Sequence, residues 1–332
     1  MRRRGFITLL GGAVTWPIMA RGQQLGGTLP RVVQLSPADN PSQADGTRRL
    51  LRELGYVEGR NIRIEFRNAG GNVDALLTLA EEVVREGGVD AIIAVSTPAA
   101  LAAYRATQTI PIVALVAVDP VGSGLADSLA HPGRNVTGIA VFSEETTIKR
   151  VELMREVLPR AVRLGTVTTK LTNGPQSLAP VLETGRKLGF TVQPIHLDDP
   201  ANLETDLSTK VLSGFDALVF VPDAIVSAHM AEVIRLVGLG GKAAIFPSPD
   251  WVANGGFMSF GPDFADASRH LISQLDRVLK GAKPGDLPFE RPTKFAILAE
   301  DFTTENGMLT PTLKLKRNKV LERYSADLNR LY

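Results

Sequence analysis

From Arg31 onward, short apolar runs alternate with segments whose apolar positions recur every three to four residues, the rhythm of strands feeding a parallel sheet through helices. The pattern predicts strands over 32–35, 61–66, 91–95, 112–116 and 136–141, with helices over 43–54, 73–86, 98–107 and 125–130. Gly55 and the pair Gly87-Gly88 close the first two helices. The rhythm then restarts. Helices over 146–158, 177–188, 203–212 and 228–236 interleave with strands over 163–167, 191–195, 217–221 and 243–246, followed by an extended segment over 256–260. A helix over 264–279 ends at Gly281, and a strand over 294–298 is expected to return to the first unit. The class is α/β, in two lobes with parallel sheets.

Composition changes this picture mainly at the ends. The chain has 332 residues, 44% hydrophobic and 22% charged, enough for two domains that each bury a core. Residues 1–22 read as an export signal: Arg2, Arg3 and Arg4, an apolar stretch, then Ala20 and Gly22 before Gln23. Arg3-Arg4-Gly5-Phe6-Ile7 has the twin-arginine form used for folded cargo. Cysteine is absent, which excludes disulfides, thiolate metal sites, thiol nucleophiles and a lipid-bearing cysteine, so a product free in the periplasm is expected. The formal charge of +2 becomes −2 once the four arginines of 1–22 are removed, 33 basic against 35 acidic residues. The remaining basic excess lies at Lys314, Lys316, Arg317, Lys319 and Arg323, so no nucleic-acid partner is expected for the body of the protein. A sugar-responsive transcription regulator would need a DNA-reading helix pair before the first strand, where the export residues stand.

In open parallel sheets a ligand sits beyond the carboxyl ends of the strands, where helices begin. Ser96-Thr97-Pro98-Ala99 follows an apolar strand with two hydroxyls and a proline at the first helical position; it serves equally as an N-cap and as an anion-receptive helix start. Asp119-Pro120, followed by Gly122-Ser123-Gly124, is either a plain turn or a close backbone approach to a ligand. In the second lobe Asn173 to Ser177 and Asp223-Ala224 take the corresponding places, and Asp223 is either a helix cap or the partner of a ligand ammonium. Trp251 is a core aromatic or a platform in the cleft. His131, His196, His229 and His270 have no metal-ligand spacing, and no phosphate loop, dinucleotide fingerprint or nucleophile elbow is found. No catalysis, cofactor or metal is expected.

Ser96-Thr97-Pro98-Ala99-Ala100-Leu101, Asp119-Pro120-Val121, Pro132-Gly133-Arg134-Asn135-Val136-Thr137-Gly138, the stretch 256–263 and Leu287 to Phe295 appear in order. With the N-terminal residues 3–12 they resemble the ABC-transporter substrate-binding family that includes the tryptophan and phenylalanine binders, over about residues 1–296. The resemblance implies the type I periplasmic-binding-protein fold, two Rossmann-like lobes joined by three crossing strands near Phe142, near Phe260 and after Phe295. It also implies cleft-facing loops at Ser36, Thr97, Asp119 and Asp223. Lobe 1 would then comprise 29–141 with 261–300, and lobe 2 142–260. A monomer handing a small polar solute to an ABC permease in the inner membrane is the implied function. The tail 301–332 instead resembles the extreme C-terminus of long-chain acyl-CoA ligases, where a lysine matching Lys314 polarises the adenylate; adenylating activity is the alternative. The large adenylate-forming domain is absent here, so no catalytic role is expected of Lys314.

Overall fold

The computed structural model describes residues 29–169, 175–197 and 199–292. The first half forms β1 (Arg31–Ser36), α1 (Pro41–Glu53), β2 (Arg63–Asn68), α2 (Ala75–Glu86), β3 (Ala91–Val95), α3 (Thr97–Ala106), β4 (Ile112–Val116) and β5 (Val136–Ala140). The strands pair in parallel in the order β2-β1-β3-β4-β5. A strand covered on both faces must be apolar at successive positions, and β3 is buried along its whole length. Ile92 and Ala94 pack against Leu76, Ala80 and Val83 of α2 and the alanines of α3. Ile93 and Val95 face the opposite layer, with Leu50 and Leu51 of α1.

The chain then builds a second unit from α4 (Ser143–Val157), β6 (Arg163–Thr168), α5 (Pro175–Lys187), β7 (Thr191–His196), α6 (Leu203–Asp206), α7 (Thr209–Leu212) and β8 (Ala217–Phe220). It continues through α8 (Ala224–Ala228), α9 (Met230–Gly240), β9 (Ala243–Phe246), α10 (Pro249–Ala253) and β10 (Met258–Ser259). This sheet is also parallel, in the order β10-β9-β8-β6-β7. Leu218 and Phe220 pack with Val233 and Leu236 of α9, whereas Ala217 and Val219 face Val151 and Met154 of α4. Each sheet thus separates two layers of helices.

The last helix, α11 (Phe264–Leu279), returns to the first sheet, where Leu271, Ile272, Leu275 and Val278 join the layer below Ile93. The described chain therefore crosses between the sheets twice, at Val141 and Phe142 before α4 and at Phe260 and Gly261 before α11. Backbones approach so closely within β5, just before the first crossing, and at the second crossing itself that only glycine fits. A Cβ on Gly138 (φ +149°) would fall 1.8 Å from the Ala114 carbonyl oxygen, and one on Gly261 (φ +156°) 1.9 Å from that of Pro247. The expected strand over 294–298 and the third crossing lie outside the described residues. Just before them, Glu290 lies alongside β5, its N–H donating to the Gly138 carbonyl and its carbonyl accepting from Ala140, both at 2.9 Å.

Three local expectations are corrected, and one short helix was not anticipated. Residues 125–130 form turns rather than a helix, because the N–H groups of Leu125 and Ala126 both fold back onto the Pro120 carbonyl. The expected helix over 203–212 splits into α6 and α7 where Ser208 turns extended and caps the second turn through Oγ. That over 228–236 becomes α8 and α9, divided at His229. The short helix α10, started by Pro249, had no periodic pattern long enough to announce it.

One charged network anchors the start of β1. Arg31 donates through Nε (3.0 Å) and Nη2 (2.9 Å) to Glu65 on the neighbouring strand and through Nη2 to Glu86 on α2, with Arg63 and Arg67 also on Glu65. The Arg31 guanidinium, against some opposing desolvation, holds the Glu65 carboxyl down at about 2 from an ordinary 4.5. A carboxyl depressed by folding contributes stability above its unfolded pKa, and this is lost as pH falls toward the folded value. Glu65→Gln is therefore expected to lower the urea midpoint at pH 7, and the variant and wild-type curves to converge as pH falls from about 4.5 to about 2. Parallel curves across that window would show that the network contributes no such linkage.

Candidate ligand-binding cleft

Every strand of a parallel sheet ends at the same edge, so each lobe presents its helix starts along one rim. The two rims enclose a cavity of about 1220 Å³. Its wall takes Ser36 from the end of β1, Ser96 to Pro98 from the start of α3 and Val116 to Asp119 from the end of β4. The second lobe contributes Val221 to Ala224 and, after β9, Ser248 and Asp250. Val141 to Glu145, at the first crossing, form the floor between them.

The Ser96–Ala99 turn explains itself locally. Ser96 Oγ accepts from the Ala99 N–H at 3.2 Å, Pro98 has no N–H, and Thr97 Oγ1 accepts from the Ala117 N–H at 3.0 Å, tying α3 to the end of β4. Both hydroxyls of this turn are thus engaged locally, Ser96 Oγ on the cap and Thr97 Oγ1 on the end of β4. Ser96 adopts φ 132°, ψ 160°, a region that is essentially glycine's own and costs a side-chain-bearing residue about 1–3 kcal/mol.

The other candidates separate clearly. Asp119 is exposed on the wall, with Oδ1 accepting from the Val121 N–H at 3.0 Å. Asp223 lies on the wall but is only 5% exposed; Oδ1 accepts from Ile225 and Val226 N–H at 2.9 and 3.1 Å, and Oδ2 from Thr169 Oγ1 at 2.7 Å. It caps α8 and ties it to the end of β6. Three candidates are corrected. Ala99 is fully buried in the first core with its N–H taken, and Pro120 is buried with its carbonyl holding the following turn. Trp251 is 1% exposed, stacked on Phe246 (centroids 4.9 Å apart, planes at 12°) and near Phe220, in the core and off the wall. Asn173 lies outside the described residues, and of Ser177 only the backbone, within α5, is described.

The structure adds residues that strand-end reasoning misses because they reach the cavity from helix sides or from the crossing. Arg49, Arg105, Arg269 and Arg291 line it together with Asp74, Asp119, Glu144, Glu145, Asp223 and Asp250, so the wall carries both signs of charge. Phe142, in a left-handed conformation (φ 45°, ψ 60°), turns the chain from β5 into α4, and the Arg291 guanidinium lies 3.6 Å over its ring. Arg291 also approaches Glu145 at 3.7 Å.

The sequence profile of the ABC transporter substrate binding protein family matches residues 35–311. The chain belongs to this family. Among curated proteins it is similar to the tyrosine-binding protein of Clostridioides difficile, 28% identical over 241 residues that cover 72% of this chain and 69% of that one. Among solved structures it resembles the ABC domain from Streptococcus pneumonia in complex with L-Trp, at TM-score 0.67 and 24% identity, covering 81% of this chain and 92% of that one. A conserved domain protein of Vibrio cholerae superposes at TM-score 0.71 and 24% identity over 88% and 98% of the two chains. The fold of this substrate-binding protein is accordingly the type I periplasmic-binding-protein fold. Long-chain acyl-CoA ligases match only in short stretches: 62 residues, 40% identical, amount to 19% of this chain and 10% of one such ligase. Lys314 lies outside the described residues.

The strain at Ser96 gives a test of the cleft's construction. Ser96→Gly releases the backbone while losing only a few tenths of a kcal/mol of capping, and is expected to raise unfolding free energy by about 1 kcal/mol. Ser96→Ala loses the cap, keeps the strain and is expected to lower it by about 1 kcal/mol. Urea denaturation of the two variants separates them; equal destabilisation would mean that the turn is unstrained.

Proposed function

We propose that this substrate-binding protein captures a small polar solute, an amino acid or a related compound, and delivers it to an ABC permease in the inner membrane. It works in the periplasm as a monomer, exported through residues 1–22, and the solute leaves chemically unaltered. The observation that carries this reading is the cavity between the strand ends of the two sheets, walled by residues of both lobes. At about 1220 Å³ it exceeds the roughly 300–1,000 Å³ of pockets that enclose a small ligand, so capture requires the lobes to approach. A wall with guanidinium groups and carboxylates suits a solute that itself carries both charges. The names of the relatives, one a tyrosine-binding protein and one crystallised with L-Trp, support an amino acid.

A solute that binds only the folded form stabilises it by mass action. A matching amino acid at a hundred times its dissociation constant is expected to raise the unfolding free energy by about 2.7 kcal/mol. A panel of L-amino acids and related solutes in chemical denaturation, with native mass spectrometry of solute retained on purification, reads this directly. No shift with any of them and no retained solute would overturn the reading.

A further inference from the structure

Arg150, on α4, is 0% exposed. Its Nη1 donates to the Phe260 carbonyl at 2.7 Å and its Nη2 to Thr147 Oγ1, which in turn donates to the Ser143 carbonyl at 2.6 Å. The guanidinium therefore clasps both described crossings, one through the Phe260 carbonyl and the other through Thr147. Yet its charge is unanswered: among the described residues no carboxylate pairs with it, and Nε has no hydrogen-bond partner. Burial alone pushes it down to about 9, which leaves it cationic at neutral pH. An isolated buried charge is costly unless something compensates it.

The compensation has an obvious place. Ser143 and Thr147 belong to the cavity floor, so the cation lies one hydrogen bond behind it. The same floor is the N-terminus of a helix of 15 residues that receives no side-chain cap, and its positive dipole end adds to the charge. Glu144 and Glu145 stand at the same helix start, but both are exposed, where water and salt screen them, and Arg291 engages Glu145. Of the remaining wall carboxylates, Asp223 is held by Thr169 and the start of α8, and Asp74, Asp119 and Asp250 belong to other elements of the two rims. A doubly anionic solute would meet these carboxylates, whereas a zwitterion satisfies both regions.

We propose that Arg150 is the counter-charge that orients the captured solute, drawing a single carboxylate toward the start of α4 and leaving the cationic end toward the acidic rims. It is a specificity-determining residue that acts through Thr147 and the field at the floor. The inference rests on the reading of the cleft as a site for an amino-acid-like solute.

The test compares binding of free L-amino acids with that of their C-terminal primary amides by titration calorimetry. Wild-type protein is expected to prefer the acid by about tenfold or more. In Arg150→Gln, which keeps hydrogen-bond donors but no charge, the acid-to-amide ratio is expected to approach one, and in Arg150→Lys to stay near that of wild type. A purely structural role would weaken acid and amide alike and leave the ratio unchanged, which would overturn the inference. If Arg150→Gln does not fold by circular dichroism, the wild-type ratio still decides: equal affinity for acid and amide overturns it while the cleft's role in solute capture stands. Wild-type protein that binds neither overturns that role and the inference together.

Discussion

Two sheets, each covered on both faces, are built from one chain whose strands all run the same way. Parallel pairing forces every strand to end on one edge of its sheet and every following helix to start there. Backbone groups at those starts have no partner within the helix, so the edge is polar while the sheet behind it is almost entirely apolar. Two such edges facing each other leave a gap that neither lobe can fill with hydrocarbon. The cavity between Ser96–Asp119 and Val221–Asp250 is the consequence of that geometry.

The crossings are the two described places on which the proposed closure of this gap would turn. At the first, Phe142 takes a left-handed conformation, and at the second Gly261 passes so near the Pro247 carbonyl that no side chain fits. Arg150 lies between them, bonded to one backbone directly and to the other through Thr147. A buried cation held by neutral oxygens is a poor way to stabilise a core but a good way to keep an unsatisfied field next to an opening. The strained Ser96 turn on the opposite rim fits the same pattern, since backbone strain tends to collect where a ligand is clamped.

Most of the fold was legible. Runs such as 91–95 and 217–220 are apolar at every position because both faces are covered, and the helices between them show the 3.6-residue period. What failed was short or broken structure: 125–130 has too few residues to propagate a helix against the Pro120 carbonyl, and α10 is five residues long. The cleft was half legible. Rules about strand ends find Ser36, Thr97, Asp119 and Ala224, all of which line it. They do not say which atoms are already spent, as Ala99 N–H and the Asp223 carboxylate are on local caps. Nor do they see residues such as Arg150 and Arg291, whose place depends on how the crossings pack, a long-range outcome with no local pattern. Trp251 was ambiguous because an isolated aromatic carries no directional signal; its three-ring stack with Phe246 and Phe220 exists only once β8 and β9 pair.

The central claim is that the two lobes close on a solute held between their strand edges. Small-angle X-ray scattering of the purified protein, titrated with the solute that stabilises it, tests this most directly. The account predicts a saturable decrease in radius of gyration that follows the binding isotherm. Saturating binding with an unchanged scattering profile would contradict it.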